Sequence, residues 1–379
     1  MKFECKRSAL RLALSQVESI AEGKGVLPIL KNVLIAPQDG RISLTAWDSA
    51  VKLSAMAWCD GAIDGSATVP MAELKHVLGC STASEARGET LNDTALMPTL
   101  RLTLGNAAVR LPAMPVADFP PAPLAEGEIV HFESAALAEA INAVAFAAEA
   151  EDWKPVLTGI KMEISGQDFT FIAADGFRLA VFFGRLAEPV SAQLEAIIPV
   201  AAMRYVAQMC EGQREMEAQI AKNTITFTGQ SRLTARLIEG EFPKWRPLIP
   251  APSLFGLTVE REALLEAARL LKVVGEREIV RLNVNEEGLL KLWARTDDSN
   301  PFVSVALQGK LFGSPGRLAM GLDYLLQMVE SLPAGDVTLL VEHSSQAFIL
   351  RPALHERQLV VQMPMFVAWS AKVSEEVTA

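Results

Sequence analysis

Side chains able to do chemistry are few in this chain, and their spacing does not assemble them. Four histidines, His76, His131, His343 and His355, are scattered, and none is expected to share a helix face with a second metal ligand at i+3 or i+4. Asp297-Asp298, in the segment ARTDDSN, resembles a divalent-cation loop only faintly, and a solvated turn is the reading adopted. The phosphate-cradling GxxxxGK[ST], the nucleophile elbow GxSxG, the zinc motif HExxH and the dinucleotide turn GxGxxG are all missing. No catalytic residue, metal or cofactor is therefore assigned. Cys5, Cys59, Cys80 and Cys210 lie far apart, with no CxxC pair and no disulfide framework. They read as reduced thiols of a cytoplasmic protein.

Scaffolding elements account for the rest. At 379 residues, half of them hydrophobic and 21% charged, the chain is expected to be globular and to hold two or three domains. Its 35 Lys and Arg against 45 Asp and Glu give a net charge of −10, so any contact with nucleic acid must be confined to a local patch. The N-terminal stretch MKFECKRSALRLALSQVESIAEG carries charges through its first turns and then turns amphipathic, which is no signal peptide. No window reaches the ~18 apolar residues of a membrane span.

The chain repeats itself three times. A short strand runs into an amphipathic helix at FECKRSALRLALSQVESI from Phe3, at HFESAALAEAINAVAFAAEA from His131 and at LTVEREALLEAARLLKVV from Leu257. Alternating apolar residues follow in each copy, as at Ile42, Leu44 and Ala46 or Phe169, Phe171 and Ala173, the period-two mark of half-buried strands. A second helix comes next, in ATVPMAELKHVLG, AIIPVAAMRYVAQM and LAMGLDYLLQMVESL. Pro70 and Pro199 sit at matching helix starts, where proline is tolerated. Each copy closes on a hairpin-like pair of strands. The proline-rich joints PPAPLAEGE at 120–128 and IPAPSLFG at 249–256 place domains at 1–124, 125–252 and 253–379. The order strand, helix, strands, helix, strands argues against parallel βαβ units. The class is α+β, triplicated.

Five segments occur in order through nearly the whole chain: LPILKNVLI at 27–35, MPVADFP at 114–120, IAADGFRLAV at 172–181, ARLIEGEFPKWRPLIP at 235–250 and VVQMPMF at 360–366. Together they resemble the beta subunit of bacterial DNA polymerase III, the beta sliding clamp family. The resemblance implies three tandem clamp domains per chain, each with two helices packed on antiparallel sheet. It also implies a head-to-tail homodimeric ring that encircles duplex DNA without reading sequence and makes replication processive. Partners implied by the family are the polymerase III alpha subunit, an ATP-driven clamp loader, and other polymerases and repair proteins that dock through linear peptides. No membrane contact and no enzymatic activity, exonuclease included, is implied. The alternative is a clamp-like peptide-binding protein that no longer encircles DNA; an enzyme with a buried active site is a third reading.

The family's peptide pocket maps here onto Leu157, onto Ala174, Gly176, Phe177, Arg178 and Leu179, onto Pro243 and Leu248, and onto Val361, Met363, Pro364 and Met365. Ala174 stands where the family favours threonine, Phe177 where a polar residue is frequent and Pro247 where arginine is common, so a more apolar pocket is expected. DNA-facing residues implied by the resemblance are Lys24 and Lys154 in two loops; the inner helices should be basic too, helix one carrying Lys6, Arg7 and Arg11, the matching third-copy helix Arg261, Arg269 and Lys272, and second helices Lys75 and Arg204. The dimer seam would set Val109 and Leu111 against Lys272 and Val273. The family's usual end falls just after the pocket, whereas this chain continues past Phe366 with VAWSAKVSEEVTA. That extension is expected either to fold over the pocket or to trail into solvent, altering peptide affinity.

Overall fold

Strands formed by alternating side chains and helices formed by three-four spacing recur here in one order, three times over. The computed structural model describes residues 1–21, 27–38, 40–63, 65–91, 98–120, 127–151, 153–250, 255–274, 279–295, 302–367 and 369. From the N-terminus run β1 (Lys2–Lys6), α1 (Arg7–Ala21), β2 (Asn32–Gln38), β3 (Arg41–Trp47), β4 (Val51–Ile63), β5 (Ala67–Pro70), α2 (Met71–Cys80), β6 (Glu85–Leu91), β7 (Thr99–Leu104) and β8 (Ala107–Pro112). The second copy holds β9 (Glu128–Glu133), α3 (Ser134–Val144), β10 (Gly159–Ala174), β11 (Arg178–Pro199), α4 (Val200–Met209), β12 (Glu215–Ile220), β13 (Thr224–Thr228) and β14 (Arg232–Arg236). The third opens with β15 (Phe255–Glu260), α5 (Arg261–Val274), β16 (Ile279–Val284), β17 (Leu289–Arg295), β18 (Phe302–Gln308) and β19 (Lys310–Gly313). It ends with β20 (Arg317–Gly321), α6 (Leu322–Ser331), β21 (Asp336–Val341), β22 (Phe348–Pro352) and β23 (Gln358–Gln362).

Two compact units result, one of Met1–Ala135 with Gln208–Leu237, the other of Ala136–Ala207 with Ile238–Ala379. In the first, a single antiparallel sheet runs β8-β7-β6-β1-β4-β14-β13-β12-β9, with β3, β2 and β5 joined through β4. The strand β4 belongs to the first copy and β14 to the second, yet they pair, Leu53 facing Leu233. Helix α1 buries Leu10, Ala13, Leu14, Val17, Ile20 and Ala21, the stripe that i, i+3, i+4 spacing produces. Each fully buried leucine contributes about 1.5–3 kcal/mol.

The second unit holds two antiparallel sheets, β10-β11-β23-β22-β21-β15-β19 and β18-β17-β16-β20. Leu257 and Leu339 from the larger sheet, Leu282 and Met320 from the smaller, and Leu264 and Leu325 from α5 and α6 close around one void of about 10 Å³. Both sheets and both helices therefore share one packed core.

Backbone contacts repeat along with the elements. The first residue of each leading helix donates its amide to a carbonyl just before or at the start of the strand after the second helix: Arg7 to Ser84 (2.9 Å), Ser134 to Arg214 (3.0 Å) and Arg261 to Gly335 (3.0 Å). In two copies that residue is an arginine whose guanidinium caps the end of the second helix. Arg7 donates to the carbonyls of Leu78 and Ala83, both at 2.8 Å. Arg261 donates to those of Val329 (2.9 Å) and Glu330 (3.1 Å). Such terminal carbonyls have no partner inside their own helix. A turn also repeats: Asp48 accepts the amides of Ala50 and Val51, and Asp175 accepts those of Phe177 and Arg178. The residue following each aspartate has a positive φ, 85° at Ser49 and 95° at Gly176; glycine adopts that conformation freely. The third-copy counterpart, around Asp297 and Asp298, lies outside the described residues.

Candidate functional site

The β10–β11 turn and the end of β23 bring together most of the residues assigned to the peptide pocket. Ala174 pairs with Leu179 across the turn, Leu179 pairs with Val361, and the Met363 amide donates to the Phe177 carbonyl at 2.9 Å. Leu157, Ala174, Leu179 and Val361 are buried in one apolar cluster, with Phe242 and Trp245 beside them. Phe177 (60% exposed), Leu248 (53%), Met363 (46%) and Met365 (42%) lie open at neighbouring chain positions. Pro243 is exposed and Pro364 buried. A packed apolar cluster thus lies beside a turn and a chain end whose own apolar side chains are exposed.

Arg178 is held from several sides. Its Nε donates to Asp175 Oδ2 at 2.9 Å with both side chains under 10% exposed, and its Nη1 donates to Gln327 Oε1 at 2.5 Å. Its guanidinium also lies 5.1 Å from the Phe146 ring and 4.7 Å from that of Tyr324. It braces the turn that carries Phe177. Burial, with the Asp175 carboxylate next, pushes the Tyr324 hydroxyl above its ordinary range.

Trp245 is fixed in turn by its Nε1 donating to Glu163 Oε1 (3.1 Å), while Arg246 donates to Glu163 Oε2 (2.9 Å). Burial alone would raise the Glu163 carboxyl, but hydrogen bonds from Lys161, Trp245 and Arg246 outweigh it and hold the group below its ordinary value. Trp245 and Glu163 were not singled out from sequence, although the tryptophan lies inside a quoted segment. The aspartate at the turn could have been read from its place ahead of a glycine.

The basic residues are less free than their helical spacing suggested. Lys6 belongs to β1, and Arg7 and Arg261 serve as helix caps. Lys75 pairs with Glu18, Arg269 with Glu330 at 3.0 Å and Lys272 with Asp323 at 2.5 Å. Arg204 donates to the Ala145 carbonyl at 3.3 Å. Lys154 is exposed, its ammonium 4.1 Å from the ring of Trp153, itself 58% exposed. Arg11 is exposed on α1. Lys24 lies outside the described residues.

At the predicted seam, β8 is an edge strand, with Leu111 buried and Val109 half-buried. Lys272 turns toward Asp323 on α6, leaving Val273 (83% exposed) with Leu270 (50%) as the apolar pair on α5. These two line a surface depression of about 320 Å³ with Leu265, Glu262, Glu266 and Arg269. Leu270 escaped notice in the sequence, though its three-residue spacing from Val273 marks a shared face.

His76 has a helical neighbour after all: Cys80 Sγ lies 3.6 Å from its Nε2, one turn on. Among the described residues no group of three metal-ligating side chains gathers, and no helix is long and apolar enough to cross a membrane.

Residues 1–123 match the N-terminal domain of the DNA polymerase III beta subunit, and residues 131–244 match its central domain. The chain is 25% identical over 362 residues to a beta sliding clamp of Synechococcus elongatus, covering 93% of this chain and 96% of the relative. It is 29% identical over 303 residues to a beta sliding clamp of Micrococcus luteus, covering 79% and 96%. A crystal structure of the DNA polymerase sliding clamp from Bacillus subtilis has the same fold, with a TM-score of 0.90 at 18% identity over 97% of this chain and all of that one. Fold and repeated architecture define a clamp built of tandem α+β copies. The chain belongs to the DNA polymerase III beta subunit family, the beta sliding clamps.

Proposed function

We propose that this chain works as a non-catalytic processivity factor whose three copies, at 1–124, 125–252 and 253–379, are clamp domains, two chains closing head to tail into a ring around duplex DNA. The observation that carries the reading is the match of two consecutive beta-subunit domains over residues 1–123 and 131–244, in a chain whose elements then repeat a third time. A ring holds DNA by topology, so its contacts need only touch phosphates and can be weak. The pairing of Lys75, Arg269 and Lys272 with carboxylates suits weak contact. A charge of −10 per chain, doubled to −20 in a dimer, keeps DNA off outer surfaces. Lys154, beside the exposed Trp153, and Arg11 are exposed basic residues that would touch a backbone.

Edge strand β8 of one chain would meet the third copy of another, where β18 is also an edge and Leu270 and Val273 supply apolar contact. The polymerase alpha subunit, a loader, and other polymerases and repair proteins would dock linear peptides on the Leu157–Leu179–Val361 floor. Two inserted anchors at about 1.5–3 kcal/mol each supply about 3–6 kcal/mol, less than the ~8 kcal/mol of a micromolar complex, so binding is exchangeable and draws on further polar contacts along the peptide. The test is retention of the protein, after incubation with a clamp loader and ATP, on circular duplex DNA and its loss when that DNA is linearised. Equal retention on both forms would contradict the reading.

A further inference from the structure

The smaller sheet of the second unit has an outer face that is buried where it should be wet. Trp293 and Ala319 are both register partners of Arg281, so all three side chains share one face. The next residues along each strand, Leu282, Leu292 and Leu318, point the other way, into the core shared with α5 and α6. Arg317 and Asn283, on the outer face, are exposed as expected. Trp293, by contrast, is only 6% exposed and Ala319 1%.

The chain beyond β23 supplies the cover. Met365 donates its amide to the Ala319 carbonyl at 2.7 Å, on the free edge of β20. Four residues on, the Trp369 ring stands edge-on to that of Trp293, centroids 6.0 Å apart at 74°. The Arg317 guanidinium lies over the same Trp369 ring at 4.9 Å. The opposite end of the segment is held by the Met363 amide on the Phe177 carbonyl and by the buried Gln362 side chain, which donates to the carbonyls of Phe177 and Met363. Met365 is thus held at its own amide, and Phe366, 83% exposed, lies between that bond and the Trp369 contact.

We infer that Trp369 is the anchor of an intramolecular strap: docked between Trp293 and Arg317, it positions Met365 and Phe366 as a rigid apolar rim for peptides carrying leucine and phenylalanine anchors. The inference rests on the peptide-docking reading above and assigns its control to a residue remote from the floor. A rim held in place spares an incoming peptide the entropy of ordering it. An undocked strap would also carry Phe366 and Trp369, apolar side chains able to compete with the peptide for the same floor. Both effects act in one direction: docking of Trp369 strengthens peptide binding.

The test is fluorescence anisotropy of a labelled peptide with leucine and phenylalanine anchors, titrated with the full chain and with Trp369→Ala and Trp369→Phe. Amide hydrogen exchange of Met365 is followed in the same three proteins. Trp369→Ala should weaken the peptide by about three- to tenfold and expose the Met365 amide to exchange, while Trp369→Phe keeps both near wild type. Equal peptide affinity in wild type and Trp369→Ala overturns the positioning role. If the wild-type chain ignores the peptide altogether, the docking reading falls; the strap is then judged by exchange alone, and an unchanged Met365 rate refutes it.

Discussion

Replacing Arg178 by alanine tests the bracing of the β10–β11 turn. Its side chain is 8% exposed and that of Asp175 9%, so water screens neither charge. Removing one member of a buried pair strands the other, at a cost of about 3–5 kcal/mol. The lost hydrogen bond to Gln327 and the two ring contacts act in the same direction. Against this, Asp175 Oδ1 keeps two backbone amides at 2.9 Å, which continue to solvate the stranded carboxylate. The low end of the range, about 3 kcal/mol, is therefore expected. Urea unfolding followed by tryptophan fluorescence reads it, because Trp245 and Trp293 are buried in the unit that holds Arg178. The double replacement Arg178→Met with Asp175→Asn should recover most of the loss, since no charge is then left unpaired. A loss below about 1 kcal/mol, the scale of an exposed ion pair, would refute the reasoning.

Three further outcomes are expected. Glu163 is held below its ordinary value of 4.5, so its contribution is present above that pH and is lost as pH falls through the folded value. The melting-temperature gap between wild type and Glu163→Gln should accordingly be widest near neutrality and shrink in acid; a gap that widens in acid contradicts this. Burial pushes the Cys5 thiol up to about 12 and that of Cys210 to about 11, whereas Cys80 is exposed. Iodoacetamide at mildly alkaline pH should modify Cys80 first and spare Cys5 and Cys210 until the chain unfolds, as peptide mapping would show; Cys5 reacting as fast as Cys80 opposes the assignment. Leu270→Asp should shift the protein toward monomer in sedimentation at micromolar concentration, and an unchanged dimer would remove α5 from the proposed seam.

The leading strand-to-helix steps and the second helices were legible because each depends on spacing within one segment, although Pro70 and Pro199 end strands β5 and β11 and the helices begin one residue later. Which strand meets which across copies was not. Nothing in the segments holding Leu53 and Leu233 announces that β4 and β14 pair, and Cys5 and Cys59, remote in sequence, turn out to be register partners on β1 and β4. The partners of charged residues were hidden for a related reason. Helical spacing tells which face Arg7 or Arg261 occupies but not that a neighbouring helix presents its last carbonyls there. The motif that places Arg178 beside the turn gives no hint of its partners Gln327 and Tyr324, which come from α6, far along the chain. Trp369 gave no signal at all: one aromatic in a polar tail acquires meaning only beside Trp293 and Arg317.

Imaging single particles of the purified full chain by electron microscopy bears most directly on whether this protein encloses DNA. A closed annulus built from two chains, with an open channel at its centre, is the predicted particle. Compact or open particles without a channel, at a concentration where the chain is fully associated, would contradict the account.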